Sequence, residues 1–448
     1  MHLRGAFARL IVKQGTVRAA TAVRRIVDLP PSGAETADET IAGLEMVEPT
    51  RPAARDGRHS LLPPVVAWLI TNLITWMVAK ASVAGDGSEV AYWSTGGRSR
   101  WDSAHYLSIA KTGYEMFWCR ERYPNFRDVM CGNVAWFPGY PMSVRAVSAT
   151  GLSYEMSALV VTEVSLLGMF AVLWWLLGAR LTWATGLTLA IGTVFPGGVY
   201  LHALFPIATG TLALLVCVAG VKRGSWGLAA AGGFAAASCY PVGAVAVGML
   251  LLSAFFAWRT DTWTVRFAKA GLSAALAGCG VLWAKWLMWQ AAGHWDAYEI
   301  LQESSYGQGG LHQPFDAMGQ AYDFPFRDWY TPEGHLPWLV AHGLDAHKSQ
   351  LWLNLAFVLL VLATAAALLV RNRRLDVEEW AALILTVAIF LVPFFAGADM
   401  SWYRNHAQMF VGLILVRRMF RWVQVPLLAC CAVQYALLGA MFFSGVLV

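Results

Sequence analysis

The run Arg100-Trp101-Asp102-Ser103-Ala104-His105-Tyr106 packs an acid, a base and a cation into a few consecutive residues, and Lys111 and Tyr114 come shortly after. Asp102 and His105 are three apart, a spacing that puts both on one face of a helix. A carboxylate held there can accept a proton from an attacking hydroxyl, while nearby cations stabilise a phosphate leaving group. The same Asp also suits the N-cap of a helix over 103–111, where its oxygen would take a backbone N–H. Spacing alone leaves both readings open.

A second stretch, Trp136-Phe137-Pro138-Gly139-Tyr140-Pro141, brackets an aromatic turn with two prolines and reads as an interfacial segment or a rigid connector. Further along, Arg404 stands at the outer end of an apolar segment with Asp399 nearby, suited to a phosphate or to a structural ion pair. Tyr200 and His202 end another apolar segment, where they either line a site or face the interface. Glu163 and Lys285 lie inside apolar runs; such groups default to a functional hypothesis, although Lys285 is close enough to a surface to snorkel. The acids of 293–350 read mostly as a solvated face, with Asp296 of His294-Trp295-Asp296 the one worth testing. The first loop has no Asp-x-Asp pair and Asp86 is distant from Asp102, so no metal and no cofactor is expected.

These residues need a frame, and composition supplies it. The 448 residues are 57% hydrophobic and 14% charged, and their mean hydropathy is +0.50. A soluble domain carries about a quarter charged residues, so the chain reads as an all-α integral membrane protein. Its 22 Trp suit interfacial belts. The net charge of +5 gives no reason to expect nucleic acid.

A crossing needs about 20 apolar residues. The candidate spans are 61–82, 153–178, 183–203, 204–221, 226–239, 241–258, 269–292, 351–370, 377–398, 406–421 and 424–446. The pair on either side of Tyr240-Pro241 could be two short helices or one kinked one. With the amino terminus inside, the basic clusters at Arg180, Lys222-Arg223, Arg259 to Lys269, Arg371 to Arg374 and Arg417 to Arg421 all fall on the inner side. That bias favours about eleven spans, an external carboxyl terminus and two large outer loops, 83–152 and 293–350. Residues 1–60 show no signal-peptide apolar run and read as a largely disordered cytoplasmic tail, with 61–448 as the membrane domain. Cys119 and Cys131 share the first outer loop and either pair in an oxidising compartment or stay free.

Taken in order and spacing, residues 100–115 and 134–148 resemble the opening signature of the PIG-V-type mannosyltransferase family, which pairs an Arg/Trp-Asp-x-x-His/Trp stretch with a Phe-Phe-Pro-x-Tyr-Pro stretch. Residues 294–309 and 401–410 are similar to later segments, with Arg404 nearest that family's late arginine, so the resemblance spans about 61–420. It implies a GT-C-type multi-span bundle in the plasma membrane with its working face extracytoplasmic. It implies a polyprenyl-phosphate-linked sugar donor, most naturally mannose, and an inverting transfer to an acceptor hydroxyl on a glycan, lipid or protein. Asp102 would be the base; Arg100, His105, Tyr106 and Arg404 would hold the donor; Trp101, Tyr140, His202 and Asp296 would serve the acceptor or a secondary role. The chain departs from the family where Ile207 replaces a Glu, Tyr240 an Arg and Asn405 a Tyr, so acceptor recognition is expected to differ. Two other classes compete: a secondary transporter, which would want ionisable groups near the midplane such as Glu163, and an inactive assembly partner that keeps only the fold.

Overall fold

The computed structural model describes residues 60–82, 90–257, 262–306, 310–323, 346–397 and 402–445. The amino-terminal tail, Asp86, Arg259 and Asp399 lie outside these residues.

Among the described residues the chain is mostly helical. In order they are α1 (Leu62–Ala81), α2 (Thr95–Arg98), α3 (Ser103–Thr112), α4 (Cys119–Arg122), α5 (Gly139–Ser148), α6 (Tyr154–Leu176), α7 (Trp183–Thr193), α8 (Ile207–Arg223), α9 (Trp226–Cys239), α10 (Val245–Phe256), α11 (Trp263–Ala292), α12 (Ala297–Tyr306), α13 (Pro314–Asp323), α14 (Ala346–Val370), α15 (Val377–Phe395), α16 (Trp402–His406), α17 (Leu413–Val416) and α18 (Arg421–Phe443). Among the described residues six of these, α1, α6, α11, α14, α15 and α18, are long and apolar enough to cross a membrane. Exposed Leu, Val and Trp side chains along α1 and α11 face outward, as they would toward lipid. The chain is a helical membrane protein.

All eleven apolar segments marked in the sequence contain helix, yet several are not the uninterrupted crossings that hydropathy suggests. The segment 183–203 is helical only to Thr193, then turns at Pro196-Gly197 into a single 3-10 turn, Gly198–Leu201. Gly197 has φ 74°, and a Cβ there would meet the Tyr403 carbonyl oxygen at 2.8 Å, so a side chain would push this turn off the 402–406 helix. Around Tyr240-Pro241 there are two helices. Gly243 lies so close to the Ala236 carbonyl that a Cβ would sit 2.0 Å from its oxygen, so the chain folds back on α9.

The segment expected at 406–421 begins at Trp402, runs as α16, passes through 3-10 helix from Ala407 to Gly412 and ends in α17. Every residue from His406 to Val416 is buried. A helix covered on all sides belongs to the middle of a bundle rather than its lipid-facing rim. This central rod packs against α15 and α8.

The stretch between α3 and α5 is ordered by a two-stranded antiparallel hairpin, β1 (Met116–Trp118) and β2 (Met130–Gly132), closed by a Cys119–Cys131 disulfide. Asn133 ties it down: its amide donates to Ser108 Oγ (2.9 Å) and to the Gly113 carbonyl (3.0 Å), and its carbonyl oxygen accepts the Glu115 N–H (2.8 Å). Helix α3 stops at Gly113, and Arg145 of α5 donates to the carbonyls of Ala110 (2.7 Å) and Ile109 (3.0 Å), a cation on the negative end of the helix.

Candidate functional site

Asp102 occupies the N-cap position of α3, but its side chain makes no capping hydrogen bond. It reaches instead to Arg404 of α16, 302 residues away, and accepts a hydrogen bond from Nη1. The backbone turns sharply to allow this. Trp101 has φ 43°, a left-handed conformation that costs a non-glycine residue about 1–2 kcal/mol, and its ring is 49% exposed. The Asp102 side chain is thus committed to Arg404 rather than to the helix cap, beside a backbone position in a sparsely populated conformation.

Aromatic rings surround the pair. The Arg404 guanidinium lies 5.7 Å from the centroid of Phe205, which itself meets Tyr106 edge-on at 6.0 Å and stacks on Tyr200 at 5.7 Å. Tyr200 stacks in turn on Tyr403. Tyr240, in the turn between α9 and α10, is half-buried and faces both charges. Burial pushes its hydroxyl above the ordinary range, with the Arg404 guanidinium opposing and the Asp102 carboxylate adding to the rise. Burial likewise raises Tyr106, with Tyr240 and Asp102 reinforcing it. Arg404 Nε is buried and has no hydrogen-bond partner. A buried guanidinium N–H left unmade carries a desolvation cost.

The other expected residues divide. His105 stacks on Trp136 at 3.7 Å with the planes 11° apart; burial pulls its imidazole below 6.5 while Asp102 opposes, so the ring is neutral at neutral pH. Tyr106 forms the wall beside Asp102. Arg100 is turned to backbone: its guanidinium donates to the carbonyls of Gly96 (2.8 Å), Ser99 (3.0 Å), Phe443 (3.3 Å) and Phe442 (3.4 Å). Tyr140 is fully buried, its hydroxyl bonded to the Ala158 carbonyl and Thr162 Oγ1, both at 3.1 Å, where it joins α5 to α6. Asp296 is exposed, and its carbonyl starts α12 by accepting the Ile300 N–H (2.8 Å).

His202 belongs to a separate buried network. Its ring nitrogens meet Tyr92 Oη (2.9 Å) and Thr71 Oγ1 (3.1 Å). Its carbonyl accepts from Arg98 Nε (2.7 Å), and the Arg98 guanidinium also pairs with Glu163. Trp68 Nε1 (2.7 Å) and Asn72 Nδ2 (3.2 Å) donate to the other Glu163 oxygen. Arg98 was not singled out by the sequence; the one available signal was an intramembrane Glu163, which requires a cation somewhere. Among the described residues no three His, Cys, Asp or Glu side chains gather into a group that could hold a metal.

No protein-family model matches the chain, and no curated protein matches it. Among solved structures it is similar to the Archaeoglobus fulgidus oligosaccharyltransferase in the apo form, at 12% identity and TM-score 0.42, over 85% of this chain and 56% of that one. It is also similar to the same protein tethered to an acceptor peptide containing the NVT sequon, at 13% identity and TM-score 0.41, over 85% and 55%. The chain thus spans about half the length of the structures it matches.

Proposed function

We propose that this membrane protein is a glycosyltransferase of the GT-C type that moves a sugar, most naturally mannose, from a polyprenyl-phosphate donor to an acceptor hydroxyl with inversion. The observation that carries this reading is the Asp102–Arg404 pair: a carboxylate that gives up its helix cap for a buried arginine whose Nε is still unpartnered. At rest the two charges hold each other. A donor phosphate competes for Arg404 and takes its free donor as well, since phosphate offers several acceptor oxygens. Asp102 is then released beside the anomeric carbon. The acceptor hydroxyl loses its proton to the Asp102 carboxylate as its oxygen bonds to the anomeric carbon. The bond from that carbon to the phosphate oxygen breaks, and polyprenyl phosphate leaves with its electron pair, its charge met by Arg404. Exposed Trp101, at the rim, offers a face for the acceptor sugar or lipid.

The competing transporter reading loses its best residue. Glu163 is spent on Arg98, Trp68 and Asn72, so it is poorly placed to bind and release an ion.

Radiolabelled polyprenyl-phosphate-mannose, supplied to purified protein in detergent with a membrane lipid and glycan extract as acceptor, tests the reading. Wild type should transfer label and Asp102→Asn should not. Arg404→Ala should raise the donor KM by about tenfold or more, one charge-assisted bond being worth about 1.5–3 kcal/mol. Normal turnover in Asp102→Asn would remove the base, and a wild type that neither binds nor consumes the donor would overturn the function.

A further inference from the structure

The Arg98 network lies next to the site without entering it. Arg98 is 1% exposed and bonds to two separate parts of the protein, α6 and the 202–204 turn. Its guanidinium pairs with Glu163 of α6, its Nε holds the His202 carbonyl at 2.7 Å, and its own carbonyl accepts the Leu204 N–H at 3.1 Å. The two loop segments anchored in this way run directly into walls of the site. Four residues after Arg98 the chain reaches Asp102, and three after His202 it reaches Phe205, the ring beneath Arg404. Glu163 is in turn fixed to α1 through Trp68 and Asn72. Tyr92 closes the network by donating to Asn72 Oδ1 (2.8 Å) and meeting the His202 ring.

We propose that Arg98 and Glu163 are positioning residues: together they clamp the segment carrying Asp102 to the turn carrying Phe205 and so fix the distance from Asp102 to Arg404. This role rests on the function proposed above for its catalytic readout, and on geometry alone for its structural one. Several features separate it from general packing. The carboxylate takes donors from both its oxygens, so it has little capacity left for a ligand. The guanidinium also joins two loop segments more than a hundred residues apart in sequence. A misplacement of about 1 Å at a reacting centre costs about 10²-fold in rate, so loosening the clamp should lower the rate of chemistry more than the affinity for donor.

The test uses full-length protein in detergent with Glu163→Gln, which is nearly isosteric, and Arg98→Lys, which keeps the charge but loses the Nε bond to the His202 carbonyl. Amide hydrogen exchange should rise about tenfold or more in 98–106 and in 200–206 together, while α14, α15 and α18 keep wild-type protection. In the transfer assay kcat should fall about tenfold or more with donor KM within about threefold, and Arg98→Lys should lie between wild type and Glu163→Gln. Unchanged exchange in 200–206 would overturn the clamp, as would loss of protection throughout the bundle or a KM rise with kcat preserved. Should wild type neither bind nor consume the donor, the function fails by that result and the exchange pattern still decides the clamp.

Discussion

Each end of the central rod Trp402–Val416 meets a carboxylate through arginine, and the two meetings are made differently. At the far end Glu379, with no exposed surface, is held by Arg417 (2.9 Å) and by Arg418 through both its oxygens (2.6 and 3.2 Å). Beside it Lys222 bonds Glu378 (2.7 Å), and Asp376 takes Arg418 (3.1 Å). Glu379 also accepts the Asp376 N–H (2.9 Å) at the start of α15. At the near end Asp102 has one arginine, no capping bond, and a side chain 22% exposed, while Arg404 keeps a buried N–H unmade. Buried ion pairs are retained at a desolvation cost, and removing one partner is more damaging than replacing both. A saturated cluster recovers that cost in rigidity. An unsaturated one leaves part of it uncompensated, which the function proposed above assigns to ligand binding.

If this contrast is right, substitutions at the two ends should have opposite signatures. Asp102→Asn should lower transfer by about 10²–10⁴-fold, the usual worth of a general base, with little change in detergent melting temperature. Glu379→Gln should do the reverse. It leaves Arg417 and Arg418 undercompensated and should lower stability by about 3–5 kcal/mol, while turnover per folded molecule stays at the wild-type level. Stability loss from Asp102→Asn equal to that from Glu379→Gln would erase the distinction.

A subtler probe is Trp101→Gly. Glycine accepts φ 43° freely, so relief of about 1–2 kcal/mol of strain should offset much of the packing lost with a half-exposed ring, leaving the melting temperature nearly unchanged, while transfer falls if the exposed ring guides the acceptor. The smallest expected effect is in pH dependence. Burial lowers the folded-state pKa of His105 from 6.5, so below that pH the unfolded chain takes the proton more readily than the folded one. Stability from this residue is present above 6.5 and is lost as pH falls toward the lowered folded value. Melting curves between pH 7.5 and 5.5 should therefore show a slope in wild type that is shallower in His105→Phe. Equal slopes would assign the acid sensitivity to other groups.

Much of the frame was legible in the sequence because it depends on local patterns. Apolar runs mark where helices form, and the break at Tyr240-Pro241 marks where two of them meet. The helix after Asp102 was equally plain. Anything set by packing between distant segments could not be read. Hydropathy makes 406–421 a crossing like its neighbours, since it does not distinguish a helix covered by protein from one covered by lipid. Asp102 and Arg404 gave no signal of each other across 302 residues. Arg98 and Arg100 look alike as loop cations, yet one is buried on Glu163 and the other is bound to carbonyls. The basic residues at 417–418 were legible as a charge bias, but not as the lock on α15 that they form.

The separation of Asp102 from Arg404 also sets a clock. At about 5–20 residues per second, the ribosome needs roughly 15–60 s to pass from the first residue of the pair to the second. Throughout that interval the emerging chain already carries its acid but lacks the arginine that pairs with it in the folded protein. A nascent or prematurely terminated polypeptide lacking the rod from Trp402 therefore cannot assemble the pair. The pair is therefore completed only after 302 further residues have been made, which ties it to the assembly of the bundle rather than to any local fold.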